Sequence, residues 1–222
     1  MTRRARGDRP ITRDPDGTRK ALIRSAVSLF EHRGYAGTSV QSIVDDAGLT
    51  KGAFYHHFDS KDDLLLEVHD EFIDHQLERA RDVLARDIPV DEQLRALVTE
   101  ALFEPLSVYK SEISVFIQER RFLPDDVFAE IKDKRDAFER CVIEVVERGM
   151  ADGTFRAAGP ARLVAFGVIG MSAWAYTWLD TEGDRTPTEI GDLYGDILVD
   201  GLMTGAPGRA AVAAGVAAAG AE

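Results

Sequence analysis

The stretch Thr38–Lys61, TSVQSIVDDAGLTKGAFYHHFDSK, concentrates hydroxyls, lysines, small residues and ring nitrogens. The chemistry open to such a set is hydrogen bonding to base edges and to phosphate. Lys51 can donate to guanine O6 and N7, and Ala53 can touch a thymine methyl. Gly52 between them lets the backbone come close. Tyr55, His56 and the hydroxyls of Ser39, Ser42 and Thr50 suit phosphate oxygens, and Thr38 is grouped with them. Lys61 opens a further helix whose N–H groups can also face a phosphate. Catalytic signatures are missing. There is no glycine-rich phosphate loop, and Gly170-Met171-Ser172-Ala173-Trp174 ends in Trp where a nucleophile elbow needs glycine.

Short helices must hold these residues. An apolar stripe of Leu22, Ala26, Leu29 and Phe30 predicts a first helix over 18–33, with Gly34 as its stop. Thr38-Ser39-Val40-Gln41 reads as a capping box, so a second helix is expected from Thr38 to about Ala47. Gly48 supplies a turn, and Thr50 caps a third helix over 51–57. The core of this unit is expected to be Ile43, Ala47, Leu49, Phe54 and Phe58 against the first helix. A fourth helix is expected over 60–81.

The charge is divided along the chain. The net value is −12, yet residues 1–62 hold eleven basic and eight acidic side chains, whereas the remainder holds sixteen and thirty-one. A basic end on an acidic body is the asymmetry expected where one end meets a polyanion. Arg3, Arg4, Arg6, Arg9 and Arg13 fall in a polar leader, either an arm that touches DNA or a solvated segment. The leader has no apolar run after its arginines and does not read as a secretory signal, which leaves a cytoplasmic location by default. Cys141 is the only cysteine, so no internal disulfide can form, and its apolar neighbours suggest an inert thiol.

The rest also reads as helix, near 91–104, 108–122, 124–148, 161–179 and 187–204, punctuated by prolines. Thr186-Pro187-Thr188-Glu189 is a second capping box. Residues 163–179 are the most apolar run but are too short for a span of roughly 20 residues, so no membrane role is expected. A helix apolar all round in a soluble protein is buried on two sides. Val168, Met171, Ala175, Leu193, Ile197 and Leu202 are therefore candidates for a four-helix interface between two copies. Phe103, Tyr109, Phe116, Phe138, Trp174 and Trp178 are candidates to line an apolar cavity, beside Pro105. Residues 206–222 form an Ala/Gly-rich tail.

The run from Ala21 to Leu65 resembles the DNA-binding domain of TetR-type regulators. The residues that carry the resemblance are Phe30-Glu31-His32-Arg33-Gly34-Tyr35, Thr38-Ser39-Val40, Ile43, Ala47-Gly48, Lys51 to Phe58, and Ser60 to Leu64. It implies that Thr50, Lys51, Tyr55, His56 and Lys61 contact DNA. A second resemblance lies in Glu119-Arg120-Arg121-Phe122-Leu123-Pro124, in Gly149 with Gly153-Thr154-Phe155-Arg156, and in Trp174-Ala175-Tyr176-Thr177-Trp178. These are similar to members that sense acyl-CoA thioesters, although Leu179 and Asp180 depart from the continuation common there. It implies an acyl-CoA or a related hydrophobic acid as effector, with a planar apolar compound as the alternative; Arg120, Arg121 and Arg162 are available as cations for the phosphates of a CoA.

The reading is therefore an all-α chain: an arm at 1–17, a three-helix DNA-binding domain at 18–63, a ligand-binding and dimerisation bundle at 64–205 and a tail at 206–222. The expected partners are operator double-stranded DNA, a second copy and a small hydrophobic effector, with no cofactor and no metal. Two other classes stay open. One is a helical metal-dependent enzyme using His69, Asp70, Glu71, Asp74 and His75; the other is an acidic protein-interaction module.

Overall fold

The computed structural model describes residues 15–122 and 125–205, without the side chains of residues 120, 125–128 and 130. The arginines Arg3 to Arg13 and the tail 206–222 lie outside the described residues. The regular elements of the described chain are all helical, beside one isolated antiparallel bridge between Phe155 and Met203, and the chain divides into two compact units at Leu65/Leu66.

The first unit holds α1 (Pro15–Gly37), α2 (Val40–Asp46), α3 (Lys51–His57) and the start of α4 (Lys61–Leu84). Helix α1 begins three residues before the expected Thr18, because Pro15 and Asp16 make a favourable first turn. Its regular part ends at Gly34, whose φ of 72° is open to glycine and costly for other residues. Helix α2 starts at Val40, two residues after the expected Thr38, because its cap lies one residue later. Its cap is Ser39, and the capping box pairs Ser39 with Ser42 rather than Thr38 with Gln41. Gly48, at φ 65°, turns the chain between α2 and α3. Thr50 then caps α3 by accepting from Ala53 N–H at 3.2 Å. Leu22, Ala26, Leu29 and Phe30 pack with Ile43, Phe54 and Phe58 in one buried core, while Ala47 and Leu49 are half-buried.

The second unit holds the remainder of α4, then α5 (Val90–Ala96), a π-helical segment (Leu97–Phe103), α6 (Leu106–Glu119), α7 (Asp125–Ala151), α8 (Ala161–Ala173) and α9 (Pro187–Leu202). Short 3₁₀ turns follow α6 at 120–122 and α8 at 174–177. Thr186 and Glu189 close the expected capping box on α9, with Pro187 in its first turn. Leu94, Leu97, Val98, Val142, Val145 and Val146 form the centre of the core, with Val168, Ala175, Val199 and Leu202 against them. Helix α9 lies directly on the π-helical segment. A Cβ on Gly191 would stand 2.9 Å from the Cα of Thr99, so only glycine permits that approach. Among the described residues no helix is long and apolar enough to cross a membrane.

Candidate nucleic-acid interface and ligand cavity

Helix α3 has two unlike faces. Phe54 is fully buried and anchors the helix against Phe58, their ring centres 5.6 Å apart. The next residue, Tyr55, is 56% exposed, and Lys51, Gly52 and His56 are exposed with it. The fixed inward side therefore holds a cationic, aromatic and hydrogen-bonding outward side at the start of a short helix. Ala53 is half-buried, with its N–H taken by the Thr50 cap. Ser39 and Ser42 stand at the start of α2. The Ser42 hydroxyl donates to the Ser39 carbonyl at 2.7 Å, and the Ser39 hydroxyl oxygen accepts from Ser42 N–H at 3.1 Å.

Two expected contact residues are turned inward. Thr38 is 2% exposed, and its hydroxyl donates to the Gly34 carbonyl at 2.9 Å. The one-residue shift of the capping box moves Thr38 from the helix surface into the turn, so it is part of the unit's core. Lys61 directs its Nζ to the carbonyl oxygens of Tyr35 and Thr38, at 2.7 and 2.8 Å.

The second unit contains a cavity of about 280 Å3. Its apolar wall includes Phe72, Ile73, Leu102, Ile113, Phe116 and Phe138, and its polar groups come from His69, Gln76, Arg135, Glu139 and Ser172. The His69 ring stacks on Phe116, their centres 3.3 Å apart. Gln76 donates to the Ala101 carbonyl and Ser172 to the Val168 carbonyl, so both amide and hydroxyl are held in place. Of the aromatic candidates, Phe116 and Phe138 line this cavity. Phe103 does not: it is fully buried against Tyr194, in the contact between the π-helical segment and α9. Tyr109 packs between Phe72 and His75, outside the lining. Burial, with Glu71 and Glu112 near it, pushes its phenol pKa up, which keeps it neutral. Trp174 is 64% exposed and Trp178 46% exposed, the latter stacked on Tyr194. The Arg120 side chain lies outside the described residues. The cavity role of His69, Phe72, Ile73 and Gln76 is not read from the sequence, where His69 is only a candidate metal ligand, although their i, i+3, i+4, i+7 spacing puts them on one face of α4.

Residues 22–68 match the family model for bacterial regulatory proteins of the tetR family. Residues 87–202 match the model for the tetracyclin repressor-like C-terminal domain. The chain belongs to the TetR family of transcriptional regulators. It is 31% identical over 195 residues to the HTH-type transcriptional repressor KstR2 of Rhodococcus jostii, covering 87% of this chain and 95% of that one. Among solved structures, the ketosteroid transcriptional regulator KstR2 of Mycobacterium tuberculosis is similar with a TM-score of 0.77 at 27% identity. That match covers 84% of this chain and 95% of the other. AibR, crystallised with isovaleryl coenzyme A and operator DNA, is similar with a TM-score of 0.71 at 26% identity, over 82% and 98% of the two chains. The TetR-family assignment makes the N-terminal unit a DNA-binding helix-turn-helix and the chain a regulator rather than an enzyme. Its C-terminal helical unit is the family's companion domain.

Exposed apolar side chains cluster on the last two helices of the TetR-family chain. Leu163, Phe166 and Met171 on α8, Trp174 just beyond it, and Leu193 and Ile197 on α9 are all at least one-third exposed. Val168, Ala175 and Leu202, expected on the same surface, are buried in the unit's own core. Val168 fills the inward side of α8, and Ala175 does the same in the 3₁₀ turn that follows it. Cys141 is half-buried, and desolvation pushes its thiol pKa up, which suits an inert side chain.

Proposed function

We propose that the chain is a homodimeric repressor that leaves its operator when a small hydrophobic effector occupies the cavity of the second unit. The observation that carries the reading is the α3 surface, where Lys51, Gly52, Tyr55 and His56 face outward while Phe54 fixes the helix from within. In this reading Lys51 and Ala53 meet base edges in the major groove, and Ser39, Ser42, Thr50, Tyr55 and His56 meet phosphates. Leu163, Phe166, Met171, Trp174, Leu193 and Ile197 bury against a second copy. Two α3 helices then reach successive major grooves of a pseudo-palindrome, roughly 34–36 Å apart. Such a regulator works where its DNA is, in the cytoplasm.

The effector is proposed to be an acyl-CoA. The cavity, of about 280 Å3 and with a largely apolar wall, suits the acyl portion, and among the described residues Arg135 is the one cation in its lining. AibR, at similar fold and 26% identity, was solved with isovaleryl coenzyme A. Release needs only a higher affinity of the effector for the state that binds DNA poorly.

The experiment pairs an unbiased selection of DNA by the purified chain with a thermal-shift screen of acyl-CoAs, free acids and planar apolar compounds. A ligand at about 100 times its Kd should stabilise the protein by about 2.7 kcal/mol and release the selected duplex. No salt-sensitive preference for any duplex would end the repressor reading. A shift and release with an unrelated hydrophobe, and with no CoA thioester, would end the acyl-CoA reading alone.

A further inference from the structure

A lysine at the start of a helix beside a DNA-reading unit is ordinarily read as a phosphate contact. The Lys61 ammonium is occupied inside the unit. Its Nζ donates to the carbonyl oxygens of Tyr35 (2.7 Å) and Thr38 (2.8 Å), and it lies 3.8 Å from the centre of the Tyr35 ring. Tyr35 is 6% exposed, and its phenol donates to the carboxylate of Asp62, the neighbour of Lys61 on α4. Thr38 in turn donates its hydroxyl to the carbonyl of Gly34, the residue that ends the regular part of α1.

These contacts tie the turn between α1 and α2 to the first residues of α4. The carbonyls at a helix end and in a turn have no helical donor. Here the Lys61 ammonium and the Thr38 hydroxyl take that role, and the Thr38 N–H adds a 3.2 Å bond to the Tyr35 carbonyl. Thr38 immediately precedes Ser39, the cap of α2. Fixing the Thr38 carbonyl therefore fixes where α2 begins, and α2 leads through the Gly48 turn into α3. A lysine has three N–H donors and one charge. Swinging the ammonium to a phosphate would break both carbonyl bonds and remove the cation from the Tyr35 ring.

We propose that Lys61 is a positioning residue for DNA recognition: it sets the register of α2, and so of α3, instead of neutralising a phosphate. The proposal rests on the DNA-binding role of the helix-turn-helix, not on the effector or the repressor reading. Two full-length variants test it, Lys61→Met and Tyr35→Phe; the second changes no charge. The probes are a duplex recovered by the unaltered chain from a random-sequence pool and a scrambled duplex of the same composition. Affinities are measured from about 50 to 200 mM salt.

Lys61→Met should lower the ratio of selected to scrambled affinity by about tenfold, with the slope of log K against log salt kept. Tyr35→Phe should lower the same ratio, by less, again without changing the slope. Weakening on both duplexes alike, with the slope reduced by about 0.9 per protomer, would assign Lys61 to a phosphate and overturn the proposal. So would a lower melting temperature with both affinities unchanged. Should Lys61→Met fail to fold, an unaltered ratio in Tyr35→Phe overturns it alone. Failure of the unaltered chain to select any duplex would instead count against the DNA-binding reading itself.

Discussion

Gln76 donates its side-chain amide N–H to the main-chain carbonyl oxygen of Ala101 across 3.0 Å, tying α4 to the π-helical segment. Gln76 is 8% exposed and also lines the cavity, so one side chain serves both. Gln76→Leu keeps the bulk and removes the donor. It should cost about 1–3 kcal/mol in denaturant unfolding, because the buried carbonyl loses its side-chain partner. The same variant should alter the concentration at which an effector releases DNA.

The approach of α9 to the π-helical segment gives a second outcome. A methyl on Gly191 would stand 2.9 Å from both the Thr99 Cα and the Phe103 Cβ. One of those atoms is backbone and cannot turn aside. Gly191→Ala should therefore destabilise the protein by about 1–3 kcal/mol, against the usual gain of replacing a helical glycine. Thermal unfolding of the variant measures the sign.

On α3, Lys51→Ala should weaken binding to a selected duplex and broaden the sequence preference, at a cost of about 1–3 kcal/mol for the loss of a base contact. Phe54→Ala should instead unfold the first unit, since Phe54 is fully buried. A repeat selection with Lys51→Ala separates the two: recovered sequences should differ at one position of each half-site. An unchanged set would remove Lys51 from base recognition.

The exposed faces of α8 and α9 bear on assembly. Leu193 and Ile197 are 50% and 54% exposed, so Asp at both positions leaves the unit's own core intact. The double variant should sediment as a folded monomer with much weaker operator binding. Leu202 is a poor site for that test, being 8% exposed in the core. A folded dimer from the Leu193/Ile197 variant would place the interface elsewhere.

Arg86 and Glu100 set a pH dependence. The Arg86 Nη1 donates to Glu100 Oε1 at 2.6 Å, and a second bond joins Nη2 to Oε2. This bond holds the Glu100 carboxyl below its ordinary pKa, and Glu100 holds the guanidinium above its own. A depressed carboxylate pKa stabilises the folded state above the unfolded value, near 4.5. That contribution is lost as pH falls through the lowered folded value. Glu100→Gln should thus be less stable than the unaltered chain at neutral pH, by under about 1 kcal/mol for so exposed a pair. As pH falls through that lowered value the two should converge; a constant gap down to strong acid would exclude the ion pair as the cause.

Much of the first unit was legible in the chain itself. The stripe Leu22, Ala26, Leu29 and Phe30, the Gly48 turn and the Thr50 cap are local signals. Each acts within a turn of helix, where spacing alone decides what can touch. The inward turn of Thr38 was not legible. Thr38 and Ser39 are both good caps, and burial of the Thr38 hydroxyl against Gly34, with Lys61 on its carbonyl, selected Ser39. The cavity shows the same limit more strongly. Six aromatics of similar type were candidates, yet Phe116 and Phe138 line it, while Phe103 is core and Trp174 is on the surface. Sequence periodicity states which side of a helix is apolar. Whether that side meets a core, a void or solvent depends on which helices pack beside it, and here that was set by contacts as distant as Gly191 on Thr99.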